Sequence, residues 1–169
     1  MAGFPDASSL RVGMTSRMDF QPSPAIIAAG LLKMADDVSS AKEPLTKAVK
    51  EVMIPSFQQN FNQGGRPAWA PLSDVSVQLR GSASPVLIRS GRLQRTMGQM
   101  NIWTITDQHA VIERLPEDVW YGNLHQTGNR KKSVLPARPF ALIQPEDEGK
   151  IIEIFDDWLG ERATRAGWS

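Results

Sequence analysis

Two histidines, no cysteine and four runs of adjacent carboxylates are all that this 169-residue chain offers to acid–base, nucleophilic or metal chemistry. His125 stands in Tyr121-Gly122-Asn123-Leu124-His125-Gln126-Thr127-Gly128. It would act as a general base only with a carboxylate such as Glu117 or Asp118 beside it. No Gly-x-Ser-x-Gly elbow or His-Glu-x-x-His pair accompanies it, so a structural hydrogen bonder is the preferred reading. His109 falls in an expected turn and reads as solvated. The acids pair as Asp36-Asp37, Glu117-Asp118, Glu146-Asp147-Glu148 and Asp156-Asp157. Adjacent residues on a helix point in different directions, so solvated faces are expected rather than a metal clamp. Without cysteine there is no thiolate nucleophile, disulfide or thiolate metal ligand. No Walker sequence or Gly-x-Gly-x-x-Gly provides a phosphate loop. The expectation is no enzyme, with no catalytic residue, metal or cofactor.

The remaining candidates are binding residues. Arg130-Lys131-Lys132, with Arg138 nearby, is the densest basic cluster. It suits DNA phosphates or an acidic partner surface, and equally a solvated loop. Trp69, and Trp120 beside Tyr121, are aromatic anchors for either a core or an interface.

Several elements must position these residues. Residues 1–22 lack lasting periodicity and read as an N-terminal arm, loosely held or ordered against a partner, with a short strand possible around Leu10, Val12 and Met14. Ser23-Pro24 is a helix start, and the stretch to Ala35 is apolar almost all round, which requires cover on several sides. A second helix is predicted from near Pro44 towards Phe61, kinked or ended by Pro55 and closed by Gly64-Gly65-Arg66-Pro67. Residues 69–85 read as irregular, and Ser90-Gly91-Arg92-Leu93 as the opening of a short helical turn. A hairpin is expected from Asn101–Thr106 and Ala110–Glu113, turning at Thr106-Asp107-Gln108-His109. Residues 126–138 form a basic loop, Phe140–Ile143 a buried strand, and Pro145 opens an amphipathic helix to about Gly160 with a frayed tail beyond. The fold class is α+β: N-terminal helices, a small antiparallel sheet with a hairpin, and a C-terminal helix. One domain over 23–160 is expected, flanked by the arm and a tail over 161–169.

Composition narrows the partners. Hydrophobic residues at 41% and charged residues at 22% are ordinary for a globular domain. Nineteen basic against eighteen acidic residues leave a net charge of +1, too balanced for a dedicated nucleic-acid binder. No apolar run reaches the ~20 residues of a membrane span, and the N-terminus lacks the pattern of a secretory leader. A cytoplasmic protein without membrane contact is expected.

Four segments in order carry a more specific signal. They are Trp69-Ala70-Pro71-Leu72-Ser73, Leu87-Ile88-Arg89-Ser90-Gly91-Arg92-Leu93, Tyr121-Gly122-Asn123-Leu124-His125-Gln126-Thr127-Gly128 and Pro136-Ala137-Arg138-Pro139-Phe140. Together, over residues 25–160, they resemble the phage virion morphogenesis family, the tail-completion proteins of Mu-like phages. One departure is visible: Gly122 stands where the family usually has Ala. The resemblance implies a structural protein of the virion neck, made in the bacterial host cytoplasm. It also implies assembly as a ring, commonly hexameric, around the DNA channel, against connector and tail-terminator proteins and in passing contact with DNA. It singles out Trp69, Pro71, Leu72, Ser90, Gly91, Leu93, Tyr121, His125, Gln126, Gly128, Pro136, Ala137, Arg138, Pro139 and Phe140 as motif or interface residues. Its rivals are a capsid-assembly or tail-terminator factor, a DNA-binding accessory protein using the basic loop, and a small packaging hydrolase or nuclease.

Overall fold

The computed structural model describes residues 24–129 and 135–168. The expected arm, its short strand and the Ser23 cap lie outside them, as do Arg130, Lys131 and Lys132. The fold is α+β. Helix α1 (Pro24–Asp37) leads to α2 (Lys42–Ala48) and α3 (Ile54–Gln63), then α4 (Asp74–Arg80) and α5 (Arg92–Met97). Strands β1 (Thr104–Ile105) and β2 (Ala110–Val111) form the hairpin, followed by α6 (Gly122–Thr127) and the long α7 (Pro145–Arg165).

Pro55 does not end the second helix. Between α2 and α3 the chain continues helically through a π turn at Val49–Met53. A proline in a regular helix crowds the carbonyl four residues earlier, here Glu51, and donates nothing to it. Widening the turn that contains Glu51 removes that conflict without breaking the rod. The rod therefore keeps one apolar face, from Val49 and Val52 to Phe57 and Phe61. It ends at Gly64, in the left-handed region at φ 72°, whose amide bonds the Phe61 carbonyl.

The core gathers around Phe61, which is fully buried. Its ring meets Trp69 edge-on at 5.7 Å and Phe140 in a stack at 5.4 Å. Phe57 stacks on Trp103 at 6.0 Å, and Leu93 and Met97 of α5 close the same cluster. A smaller cluster of Ala48, Val52 and Ile154 fixes α7 against the rod.

Three further local readings differ from the sequence expectation. Residues 69–85 contain α4, capped by the Ser73 hydroxyl on the Ser76 amide and closed by Gly81 at φ 76°. None of its residues is buried, so the apolar periodicity that reveals most helices was absent. The expected strand at Phe140–Ile143 is irregular, with a bend at Ala141, and pairs with no strand among the described residues; side chains bind the backbone of Phe140 and Ala141 instead. Helix α7 passes Gly160 and runs to Arg165. There the buried Arg162 lies 4.3 Å over the Trp158 ring and donates to the Asp37 carbonyl and the Glu43 carboxylate. Those contacts outweigh the ~1 kcal/mol that a helical glycine costs.

The hairpin is present but shorter than expected: each strand has two residues, with Thr104 opposite Val111 and Ile105 opposite Ala110, and Met100–Ile102 forms a 3-10 turn where the first strand was expected to begin. Thr106 replaces the missing Asn-Gly signal: its hydroxyl accepts from the Gln108 and His109 amides. The hairpin tip docks on the α1–α2 loop, where the Asp107 carbonyl accepts from the Ala41 amide at 2.8 Å.

Candidate functional site

The motif segments meet in space, and their polar side chains bind the chain's own backbone. Arg138, only 3% exposed, donates from Nε to the Ala70 carbonyl at 2.8 Å and from Nη2 to the Pro71 carbonyl at 2.7 Å. In return the Trp69 indole N–H donates to the Pro139 carbonyl at 2.9 Å. The two proline-containing loops thus clasp each other. Pro71 and Pro139 suit this, since neither offers a backbone N–H that would need a partner. Trp69 is buried and packs so tightly over Gly65 that a Cβ there would lie 2.4 Å from the indole.

Gln126 does for the 140–141 segment what a neighbouring strand would do. Its Oε1 accepts from the Phe140 and Ala141 amides at 3.0 and 3.1 Å, and its Nε2 donates to the Ala141 carbonyl at 3.0 Å. Asn60, fully buried on α3, donates to the Phe140 carbonyl at 2.9 Å. An amide side chain carries both donor and acceptor, so it can replace a strand edge.

A second polar network was not singled out from the sequence. Arg66 donates to Asn60 Oδ1 at 2.8 Å, Ser56 Oγ at 2.6 Å and Glu146 at 2.7 Å. The Ser56 hydroxyl donates to buried Asp147, which also accepts from the Gln144 amide at 2.9 Å. Gln144 closes the ring by donating from Nε2 to the Arg66 carbonyl at 2.6 Å. The signal was present as Gln144-Pro145-Glu146-Asp147, a capping box with proline at the first helical positions. Of the acids in this helix's first turn, Asp147 is the buried one.

The remaining motif residues take distinct places. Leu72, Ser90, Gly91, Leu93, Tyr121 and His125 line a groove of about 710 Å³ between α4, the 87–93 segment and α6. Gly128, at φ 74°, is packed so that a Cβ would lie 2.9 Å from the Ala137 nitrogen, and only glycine fits. Pro136 and Ala137 lie at the surface, and Asn129 and Leu135 bond to each other's backbone across the base of the basic loop. At Gly122 the tips of Leu115 and Leu93 occupy the place of a Cβ, at 2.6 and 2.9 Å, so the missing methyl is filled from the core. Trp120 faces solvent.

His125 does not form the expected side-chain hydrogen bond through Nδ1, which is buried and unpartnered. Its ring stands edge-on to Tyr121 at 6.3 Å, and its carbonyl accepts from the Arg138 amide at 2.6 Å. Glu117 and Asp118 face Arg114 and Arg92 instead. Burial lowers the His125 pKa from its ordinary 6.5, and the Arg138 guanidinium pushes it further down. The folded state therefore holds the ring neutral while the unfolded chain takes up a proton. This stability contribution is complete above pH 6.5 and is lost as the pH falls through 6.5 towards the folded value. His125→Gln should flatten the fall in urea midpoint between about pH 7 and pH 5; an unchanged slope would show that His125 does not cause it.

Among the described residues, no group of three or more His, Asp or Glu side chains is placed to hold a metal ion. Among them, too, no helix is long and apolar enough to cross a membrane. What the fold and the motif residues define is an α+β domain whose distinctive side chains staple loops together.

The sequence profile of the phage virion morphogenesis family matches residues 27–160, and the chain belongs to that family. It is also similar to the Mu-like prophage FluMu G protein 2 of Haemophilus influenzae, at 26% identity over 137 residues. That match covers 79% of this chain and 88% of the relative. No solved structure matches the chain.

Proposed function

We propose that this chain is a structural protein of the virion neck, without catalytic activity, that completes the tail and joins it to the head connector as an oligomeric ring. A hexamer assembled in the host cytoplasm is the form that the family resemblance suggests. Membership of a virion morphogenesis family and likeness to a Mu-like prophage protein support the phage setting. The observation that carries the reading is where the apolar side chains go. The motif residues Trp69, Gln126 and Arg138 are spent on internal clasps, while α1 exposes Leu31 and Leu32 and α4 exposes Val75 and Leu79. A subunit that works by assembly must present such surfaces before it meets its neighbours.

The test is deletion of the gene from its phage, with the lysate viewed by negative-stain electron microscopy. Filled heads and finished tails accumulating separately are expected. Normally joined particles would overturn the reading, and absent heads would move the action to capsid assembly.

A further inference from the structure

The groove beside α4 and the outer face of α7 have opposite character. The groove floor is apolar, with Leu72, Leu87 and Leu93, and Leu79 on its wall is 82% exposed. Among the described residues its lining includes Arg80, Arg89 and Arg92 and no carboxylate, with Asp118 3.7 Å from Arg92 just beyond it. The wall is held in shape: Arg80 donates to the Pro85 carbonyl at 2.6 Å and also to the Ile88 carbonyl. Between them Leu87 sits at φ 62°, a conformation that a bulky residue adopts only when its surroundings enforce it.

Helix α7 carries the complementary pattern. Residues 145–161 contain seven acids and one lysine. Asp147, Ile151, Ile154, Trp158 and Arg162 form its inward stripe, mostly buried. On one flank of the helix, roughly 110° round from that stripe at ~100° per residue, Glu148, Ile152, Asp156 and Leu159 follow one another at helical spacing, all exposed, with Ile152 at 58% and Leu159 at 38%. Apolar side chains set among acids are thus left exposed, without a partner among the described residues, on a helix otherwise fixed to the core.

We propose that this outer face of α7 docks into the basic, apolar groove of a second copy of the same chain. The aliphatic side chains Ile152 and Leu159 meet the leucine floor, and the flanking carboxylates meet Arg89 and Arg92. Groove and helix face share no residue, so the contact is heterologous: each copy uses one patch on each neighbour, and repetition closes into a ring when the rotation allows. The inference rests on the ring reading above and names the two surfaces that build it.

Sedimentation velocity over a concentration series tests it. A groove variant, Leu79→Ser with Arg89→Ser, and a helix variant, Glu148→Arg with Asp156→Arg, change only exposed positions and do not complement each other's altered face. Circular dichroism should give both the wild-type fold. The wild type is expected to associate with rising concentration, and each variant to lose at least about tenfold in self-affinity. An equimolar mixture has one intact groove and one intact helix face, and should form a one-to-one complex that grows no further. Variants that associate like the wild type would overturn the proposal while leaving a ring built by other faces. A mixture that stays monomeric, or a wild type monomeric at every concentration, would overturn it too. Association lost on removing residues 1–22 with both faces intact would give the groove to the N-terminal arm. A groove variant that assembles normally but loses salt-sensitive DNA binding would give the arginines to phosphate. Joined particles in the gene deletion are a separate result, sinking the neck reading without touching the association data.

Discussion

Arg138→Ala should lower the unfolding free energy by about 3–5 kcal/mol, seen as a fall in urea midpoint at unchanged slope. The guanidinium is buried and has no ion-pair partner among the described residues; what faces its charge is the pair of carbonyls at Ala70 and Pro71. Burial without a carboxylate also lowers its pKa. Each charge-assisted bond contributes about 1.5–3 kcal/mol, and truncation leaves both carbonyls without a donor. Arg138→Lys should recover less than half of the loss. An ammonium on a flexible stem lacks the planar fork that reaches two carbonyls from Nε and Nη2 at once. Arg138→Met separates charge from shape: if it matched the wild type, the two carbonyls would be satisfied by water and the clasp would carry no stability.

How far the sequence reached depends on what kind of signal each element leaves. Helices that bury an apolar stripe were legible, because burial writes a 3.6-residue period into residues such as Val49, Val52, Phe57 and Phe61. Helix α4 buries nothing, so its only marks were the caps Ser73 and Gly81. Of the two outcomes expected at Pro55, a kink or an end, the helix does not end; it widens into a π turn just before the proline, and a π turn leaves no pattern in residue types. Phe140–Ile143 had the composition of a buried strand and is buried at Phe140. Its hydrogen-bond partners, however, are the side chains of Gln126 and Asn60, 14 and 80 residues away in sequence. Long-range side-chain partners of that sort cannot be read from spacing along one chain.

The site shows the same limit. The order of the motifs pointed to a family, and Trp69, Gln126 and Arg138 were among the residues picked out, but nothing in the residue types separated core from interface. The structure separates them by geometry: Trp69 is buried and bonded inward, while Trp120 faces solvent. The Arg66 network stayed hidden for a related reason. Arg66, Ser56, Asp147 and Gln144 come from three separate segments, and each alone reads as an ordinary turn, helix or cap residue.

Trp69→Ala is the sharpest test of that separation. A tryptophan acting as an interface anchor would leave the monomer's stability intact on truncation and remove only assembly. The packing requires the opposite. The indole lies edge-on to Phe61 and covers Gly65, and its N–H holds the Pro139 carbonyl. Truncation should therefore cost about 3–5 kcal/mol in the isolated chain, through the cavity and the orphaned carbonyl together. Trp69→Phe keeps most of the ring and removes the N–H, and about 1–3 kcal/mol of that loss should remain. Trp69 and Arg138 hold the same two loops from opposite sides, so breaking one frees the segment on which the other depends. A double-mutant cycle of Trp69→Phe with Arg138→Met should then show a coupling of about 0.5–3 kcal/mol, the pair losing less than the sum of the singles. Strict additivity would mean that 69–71 and 138–140 are each fixed independently, and the reciprocal clasp would be a coincidence of geometry rather than the reason these two segments pack together.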